Sequence, residues 1–332
     1  MAGRFKRIWK RFREGQWRKS LLGDLVIRLV KEKPLGLIGA IIVLVLLFVG
    51  VFADFLAPFG FNKIHLRDTF DPPTIKYLLG TDNMGRDLLS RIIYGARISM
   101  YVGLGASIIA ALFATVIGLV SGYFGGKIDL VVQRFVDAWM SFPPMFIILA
   151  VMAILGPGLI QVIVVLGVLY GISSSRIVRS AVIGVKENAY VEAARSVGIR
   201  KIWILVRHIL PNVTAPIIVL FTLVMGASII AEASISFLGF GIPPPTPSWG
   251  GMLSGSGRQF MLTAPWMALW PGLALAIVVF GINMLGDAVR DILDPRLRGS
   301  SGRYGGVVQE DERKKKKFRS LRFALNGNDK NN

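Results

Sequence analysis

FPPMFIILAVMAILGPGLIQVIVVLGVLYGI, residues 142–172, runs for 31 residues without a charge and is broken near its middle by Gly156-Pro157-Gly158. At about 1.5 Å rise per residue, a bilayer core of roughly 30 Å is crossed in about 20 helical residues, so one crossing leaves residues over. Proline lacks a backbone donor and glycine tolerates turn geometry, so the tripeptide reads as a tight hairpin between two spans. Each arm holds about 14 strongly apolar residues, which is short for a crossing. Weakly polar flanks, Leu130–Met140 before and Ser173–Ile183 after, extend both arms. Whether this stretch counts once or twice sets the topology of the whole chain.

Four other spans surround it. Leu35–Leu56 has 22 residues whose one charge is Asp54, and Ile98–Val120 has no charge. Val213–Ala231 and Met267–Leu285 are 19 uncharged residues each. Counting the central stretch twice makes six spans. With the amino terminus inside, Lys and Arg number 11 in residues 1–34, 2 in 121–138, 7 in 173–212 and 12 in 286–332. Residues 57–96 and 232–266, outside, hold 5 and 1. Five spans would put the loop at 173–212 and the tail outside, against the positive-inside bias. The expected fold is therefore an all-α membrane protein of six transmembrane helices, with both termini cytoplasmic.

Composition agrees. Of 332 residues, 53% are hydrophobic and 18% charged, where soluble domains carry about 25% charged residues. Mean hydropathy is +0.57. Cysteine is absent, which excludes disulfides and thiolate metal sites, and the two histidines, His65 and His208, lie far apart. No metal site and no Ser/His triad is expected. The net charge of +19 sits on the inner segments, so it reads as topology and contact with membrane lipid, with no nucleic acid. Residues 1–34 form a basic amphipathic cytoplasmic segment, with Phe5, Ile8, Trp9 and Phe12 at helical spacing among Arg and Lys. Residues 35–290 form the transmembrane domain. Residues 291–332, with the run Arg313–Lys317, form a basic cytoplasmic tail expected to be partly disordered.

The middles of the spans lack Asp, Glu and His, the groups that carry or relay coupling charge in proton-driven carriers. Asp54, Glu232 and Asp287 fall toward span ends. No Gly-x-x-x-x-Gly-Lys-Ser/Thr phosphate loop occurs; Gly122-Tyr123-Phe124-Gly125-Gly126-Lys127-Ile128 lacks the spacing and the hydroxyl. The chain is therefore not expected to be an enzyme or to bind a cofactor.

The inner loop at about 179–212 reads Glu187-Asn188-Ala189-Tyr190-Val191-Glu192-Ala193-Ala194-Arg195-Ser196-Val197-Gly198, then Ile199 through Pro211. Small residues at Ala189, Ala193 and Ala194 permit close approach by a partner, and Gly198 can end a short helix. A second short helix over Ile199–Leu210 would be stopped by Pro211. A docking knob and an interfacial amphipathic helix fit this pattern equally.

This loop resembles the Glu-Ala-Ala signature of permease subunits from binding-protein-dependent ABC importers: Glu192, Ala193, Ala194 and Gly198, then Leu210-Pro211. Three more strings are similar, in order, to the C-type subunit of that family's dipeptide/oligopeptide/nickel branch. They are Leu79-Gly80-Thr81-Asp82-Asn83-Met84-Gly85-Arg86-Asp87, then Ser236-Phe237-Leu238-Gly239-Phe240-Gly241 with Pro247-Ser248-Trp249-Gly250, and Asn283-Met284-Leu285-Gly286-Asp287 with Asp294-Pro295-Arg296-Leu297. The resemblance covers roughly residues 30–298. It implies a type I ABC importer permease fold in the prokaryotic cytoplasmic membrane, and half of a translocation pore for di- or oligopeptides, with nickel or oligosaccharides as the alternative. It implies a paired B-type permease, two cytoplasmic ATPase subunits that carry ATP and Mg, and an extracytoplasmic solute-binding protein. The Glu-Ala-Ala loop would be the helix that couples to the ATPase. An autonomous secondary carrier or channel, and a membrane-anchored scaffold, are the alternatives from other classes.

Asp82, Arg86 and Asp87, with Arg91, mix opposite charges before the second span. They suit an outer gate or docking element, or a local ion-pair and capping network. Met225, Ser228 and Glu232 lie at helical spacing and are candidates to line the pore. The alternatives there are packing for Met225, and hydration or pairing with an arginine for Glu232.

Overall fold

The computed structural model describes residues 28–293, and those residues are helical or irregular with no β-strand beyond one isolated bridge. The amphipathic segment and the basic tail read from the sequence lie outside them, apart from residues 28–34 and 291–293. Eight helices carry the architecture: α1 Pro34–Val51, α2 Leu88–Phe124, α3 Gly126–Met140, α4 Pro144–Leu155, α5 Leu159–Lys186, α6 Ala189–Ser196, α7 Thr214–Phe237 and α8 Trp266–Leu293. Pro34 sits in the first turn of α1, where its missing donor costs nothing. Five of them, α1, α2, α5, α7 and α8, are each long and apolar enough to cross a membrane.

The third span differs from its expected form. Leu130–Met140 does not continue the apolar arm; α3 and α4 meet at 85°. Pro143 and Pro144 have no N–H and disfavour helical geometry in the residue before each, so the helix breaks there. Residues 121–138, expected as an inner connection, are mostly α3. The other arm behaves as expected: Ser173–Ile183 continues α5 to Lys186. Helix α2 starts ten residues before the expected Ile98, because Arg91 and Arg97 find protein partners instead of water. The Arg97 guanidinium donates to the Gly50 carbonyl at 2.8 Å and pairs with Asp54 at 2.8 Å. Likewise α8 runs past the expected boundary at 290, to Leu293.

Close helix packing shows that the bent pair is one crossing. Gly105 faces Ile163, Ile109 faces Gly167, Phe113 faces Gly171, Gly118 faces Val178, and Gly122 faces Val182. Residue numbers rise together, so α2 and α5 are parallel. A chain leaving α2 at one end and entering α5 at the other must cross back between them, and only α3 and α4 lie there. Six passes result. In this interface each glycine receives a larger residue from the other helix, which lets the backbones approach where lipid offers no hydrophobic drive.

The remaining contacts alternate in direction. Gly36 meets Ala288 and Gly281 meets Ile42, so α1 and α8 are antiparallel. Gly226 meets Asn283 and Gly286 meets Thr222, which sets α7 against α8 in the same way. Lys33 pairs with Asp291 at 2.5 Å, joining the beginning of α1 to the end of α8. At that same end lie α6, the C-terminal turn of α2 and the C-terminal turn of α5, where Lys186 reaches the Gly122 carbonyl at 3.2 Å. The opposite end holds residues 57–87, the turn Gly156–Gly158 and residues 238–265. Leu44, Phe48, Val116, Ile160 and Phe280 stand exposed around the bundle, as a lipid-facing surface requires.

Substitution Gly118→Val should test the α2–α5 interface. A Cβ there would stand 2.7 Å from Val178 Cβ and 2.9 Å from the Ser175 carbonyl oxygen. Overpacking of about 1–3 kcal/mol is expected, read as a lower melting temperature in detergent. Gly184→Ala, whose new methyl would meet no heavy atom within 4 Å beyond the adjacent backbone of its own helix, should melt at or slightly above the wild-type temperature.

Candidate functional site

Helix α6 projects from the end that carries both termini of the bundle. Its residues alternate in fate along the helical period. Val191 and Ala194 are buried and join an apolar cluster with Tyr123, Val178, Val182, Ile204 and Ile209. Ala189, Glu192 and Ala193 are exposed, as are Gly198 and Pro211. Of the three alanines expected on a docking face, Ala194 instead anchors the helix to its own bundle. Its position three after Val191 puts both on one face.

The helix is stopped by backbone chemistry. Gly198 has φ +80°, the left-handed region where a Cβ is strained. Its N–H donates to the Arg195 carbonyl at 2.9 Å, and the Ile199 N–H to the Ala194 carbonyl at 3.2 Å. These two bonds are the Schellman pair, and they turn the chain sharply out of α6. The next helical stretch, expected over Ile199–Leu210, forms as Lys201–Ile204 followed by a widened turn Leu205–Ile209, in which the Leu210 N–H reaches back to the Leu205 carbonyl. Pro211 follows, and its ring crowds the carbonyl four residues earlier, which accounts for the widening. The result is a rigid elbow whose outer side offers Glu192, Ala193, Val197 and Trp203.

At the opposite end, Asp82 organises the segment before α2. It is 2% exposed, and its carboxylate accepts from the Met84 N–H at 2.9 Å, the Arg86 N–H at 3.0 Å and Arg86 Nε at 2.7 Å. Arg91 approaches it at 3.8 Å and donates to the Phe61 carbonyl. Asp87 caps α2, accepting from the Ser90 N–H at 2.8 Å and the Ser90 hydroxyl at 2.6 Å. The ion-pair and capping alternative describes these bonds. Gly85 is required here: φ is +71°, and a Cβ would lie 1.9 Å from the His65 carbonyl oxygen. Trp249 closes the arrangement by seating its ring against Gly95 and donating to the Ile92 carbonyl. Asp82, Arg86 and Arg91 also line an outer cavity of about 390 Å³, together with Pro157, Ser236 and Ser248.

Met225, Ser228 and Glu232 are brought together on α7, but all three are buried against the chain's own helices. None stands on a face open beside the bundle. Glu232 was expected at a span boundary, hydrated or paired with an arginine; α7 continues to Phe237 and leaves it 1% exposed. Its Oε1 accepts from the Ser236 hydroxyl at 2.7 Å, and Oε2 has no hydrogen-bond partner. Ser236 and Ser248 line the outer cavity beside this buried carboxylate.

Sequence reasoning missed the ties that hold these sites in place. Asp129 on α3 accepts from Arg179 Nε on α5 at 2.6 Å, and Arg176 pairs with Asp137. Asp68 accepts from Lys76 at 2.7 Å and from the Tyr77 hydroxyl at 2.6 Å. Nothing in the spacing of these residues marks them as partners. Among the described residues no cluster of His, Asp or Glu is arranged to hold a metal ion.

Two outcomes follow from the outer segment. Asp82→Ala removes the acceptor of two backbone N–H groups and leaves Arg86 and Arg91 largely buried without it. A loss of about 3–5 kcal/mol is expected in thermal or denaturant melts, against about 1 kcal/mol for loss of the helix cap in Asp87→Ala. The Lys76 hydrogen bond, then that of Tyr77, holds the Asp68 carboxyl below its ordinary 3.8, and the Asp68 bond raises Lys76 above 10.5. A depressed acid stabilises fully above its ordinary value and loses this as pH falls through the folded one; a raised lysine loses its share only above 10.5. The melting difference between wild type and Lys76→Met should therefore be flat between 3.8 and 10.5 and close on further acidification.

Comparison with known proteins adds identity to this geometry. Residues 114–299 match the family model described as the binding-protein-dependent transport system inner membrane component. Residues 20–73 match the N-terminal TM domain of oligopeptide transport permease C. The dipeptide transport system permease protein DppC of Alkalihalophilus pseudofirmus is 39% identical over 81% of this chain and 88% of its own length. The glutathione transport system permease protein GsiD of Escherichia coli O6:K15:H31 is 38% identical over 82% and 90%. Among solved structures, the inward-facing MetNI methionine ABC transporter aligns with a TM-score of 0.45 and 20% identity, over 59% of this chain and 94% of that one. The chain belongs to the inner-membrane components of binding-protein-dependent transport systems, as a multi-pass C-type permease of the dipeptide/oligopeptide ABC importers, and is a transport subunit, not an enzyme.

Proposed function

We propose that this chain forms half of the translocation pore of an ATP-driven peptide importer and couples to a separate ATPase through α6. The observation that carries the coupling role is the split of α6: Val191 and Ala194 are locked into the bundle, while Glu192 and Ala193 face outward on a helix stopped by Gly198. A helix held on one side and bare on the other can transmit a push from a partner to α2 and α5. The Lys and Arg residues of 173–212 lie at the α6 end, which supports a cytoplasmic assignment for it and for both termini.

In this reading ATP and Mg bind two cytoplasmic ATPase subunits, and a B-type permease supplies the other half of the pore. The outer cluster around Asp82, Arg86 and Asp87 faces an extracytoplasmic solute-binding protein. Closure of the ATPase pair draws the two coupling helices together and opens the pore outward. Relatives named for dipeptide and glutathione transport support a peptide as the solute. The segments at 1–34 and 291–332 are basic cytoplasmic extensions flanking the six-span domain.

Glu192→Arg is expected to abolish ATP-dependent peptide uptake in cells or proteoliposomes containing all subunits, at unchanged membrane levels of the chain. Gly198→Val should act likewise, because the left-handed backbone that ends α6 disfavours a β-branched residue. Normal uptake by both variants would refute the coupling role. Solute flux through the purified chain alone, driven by a gradient, would instead favour an autonomous carrier.

A further inference from the structure

At the α6 end, a cavity of about 470 Å³ opens between the end of α2, the end of α5 and the elbow after α6. Tyr123 and Phe124 form one wall, and Lys186, Arg195 and Lys201 surround it. The Arg195 guanidinium lies 5.2 Å from the centre of the Tyr123 ring, and Lys201 Nζ lies 5.9 Å from that of Phe124. Lys186 covers the Gly122 carbonyl, one of the last acceptors of α2. No carboxylate lines the cavity, and among the described residues none of the three cations forms an ion pair. Asp129, the carboxylate within electrostatic reach of Lys186, is already hydrogen-bonded by Arg179. Three cations around one hollow, none of them in an ion pair, make a site for a multiply oxygenated anion.

The surface leading to the cavity says which anion. Leu112, Val116, Val120 and Phe124 are all exposed and recur every four residues, so they form one apolar row inclined to the axis of α2, which ends in the cavity wall at Phe124. Its thirteen residues extend about 18 Å, a little over half of a hydrocarbon core of roughly 30 Å. Ile202 and Trp203, which lie in sequence between the cavity-lining Lys201 and Ile204, are exposed, and tryptophan is favoured at the level of lipid headgroups. A soluble phosphate has no use for the stripe. An acidic protein surface would have to follow it into the hydrocarbon. A phospholipid fits both parts, with its headgroup among the cations and an acyl chain along α2.

We propose that this cavity binds the headgroup of an anionic phospholipid, and that the lipid wedges between α2 and the elbow that carries α6. The inference rests on the membrane placement of the bundle and not on the solute or the ATPase, so it is tested without transport. The full chain is purified in detergent, stripped of lipid and titrated with phosphatidylglycerol or phosphatidylethanolamine. Bound lipid is counted by native mass spectrometry, and stability is followed by melting. Wild type should retain phosphatidylglycerol in preference to phosphatidylethanolamine and melt higher with it, and millimolar inorganic phosphate should not displace it. The triple variant Lys186→Gln, Arg195→Gln, Lys201→Gln should bind it about a hundred-fold more weakly, at roughly a factor of five per cation.

The charge-preserving triple Lys186→Arg, Arg195→Lys, Lys201→Arg should keep most of the affinity, which separates charge loss from misfolding. Equal phosphatidylglycerol retention by the glutamine variant would overturn the proposal. So would equal binding of phosphatidylethanolamine, or displacement by phosphate. If the glutamine variant lost ATPase association while its lipid retention stayed at the wild-type level, the cations would serve an acidic protein surface and the lipid proposal would fail. Failure of the Glu192→Arg uptake test leaves each of these readouts unchanged.

Discussion

The approach of α2 to α5 is the contact on which the rest of the bundle depends. In a bilayer, apolar side chains gain nothing by leaving lipid for one another, so helix association needs close packing. Here glycines on each helix receive Ile, Phe or Val from the other along nearly the whole shared length. Because the two helices are parallel, the chain must return between them, and it does so through the bent pair α3 and α4. Arg179–Asp129 and Arg176–Asp137 then fasten α3 to α5 near the basic end. Both functional regions are mounted on this pair: Asp82 and Asp87 lead into α2, and α6 follows α5 after a two-residue break.

The two ends obey different physics. At the basic end an exposed helix is held by a few apolar anchors and a glycine stop, an arrangement that leaves a surface free for a partner. At the other end, charges are satisfied internally. Asp82 is saturated by two backbone donors and Arg86, and Asp87 by its own helix, so neither presents a free carboxylate. The strings Gly80 to Asp87, Pro247 to Gly250 and Asn283 to Asp287 mark tight places. Gly85 clears a carbonyl, Gly95 and Gly250 admit Trp249 and the Ala233 backbone, and Asn283 stands beside Gly226. A motif read as functional in sequence is here first a condition for packing.

The buried face of α7 shows what side-chain type alone leaves open. Met225, Ser228 and Glu232, the candidates for a pore lining, lie at i, i+3 and i+7 and share a face. That face is buried against the chain's own helices, with Ser236 and Ser248 between Glu232 and the outer cavity. Polarity in a span says that a side chain avoids lipid; it does not distinguish a pore from the interior of the bundle. Only the positions of α2, α8 and the outer loop decide between them.

Span number and the common end of the first span's start and the last span's finish were legible in the sequence, because hydrocarbon thickness and positive-charge bias act on local composition. The Gly156-Pro157-Gly158 hairpin, the stop at Gly198 and the break at Pro211 were legible too, since glycine and proline act on their own backbone. What only the tertiary structure decided are the relations between distant segments: the 85° turn at Pro143-Pro144, the inward rotation of Ala194 and Glu232, and the partners of Arg97, Asp129 and Asp291. Those depend on which helix face meets which neighbour, and a helix's own residues limit that choice without making it.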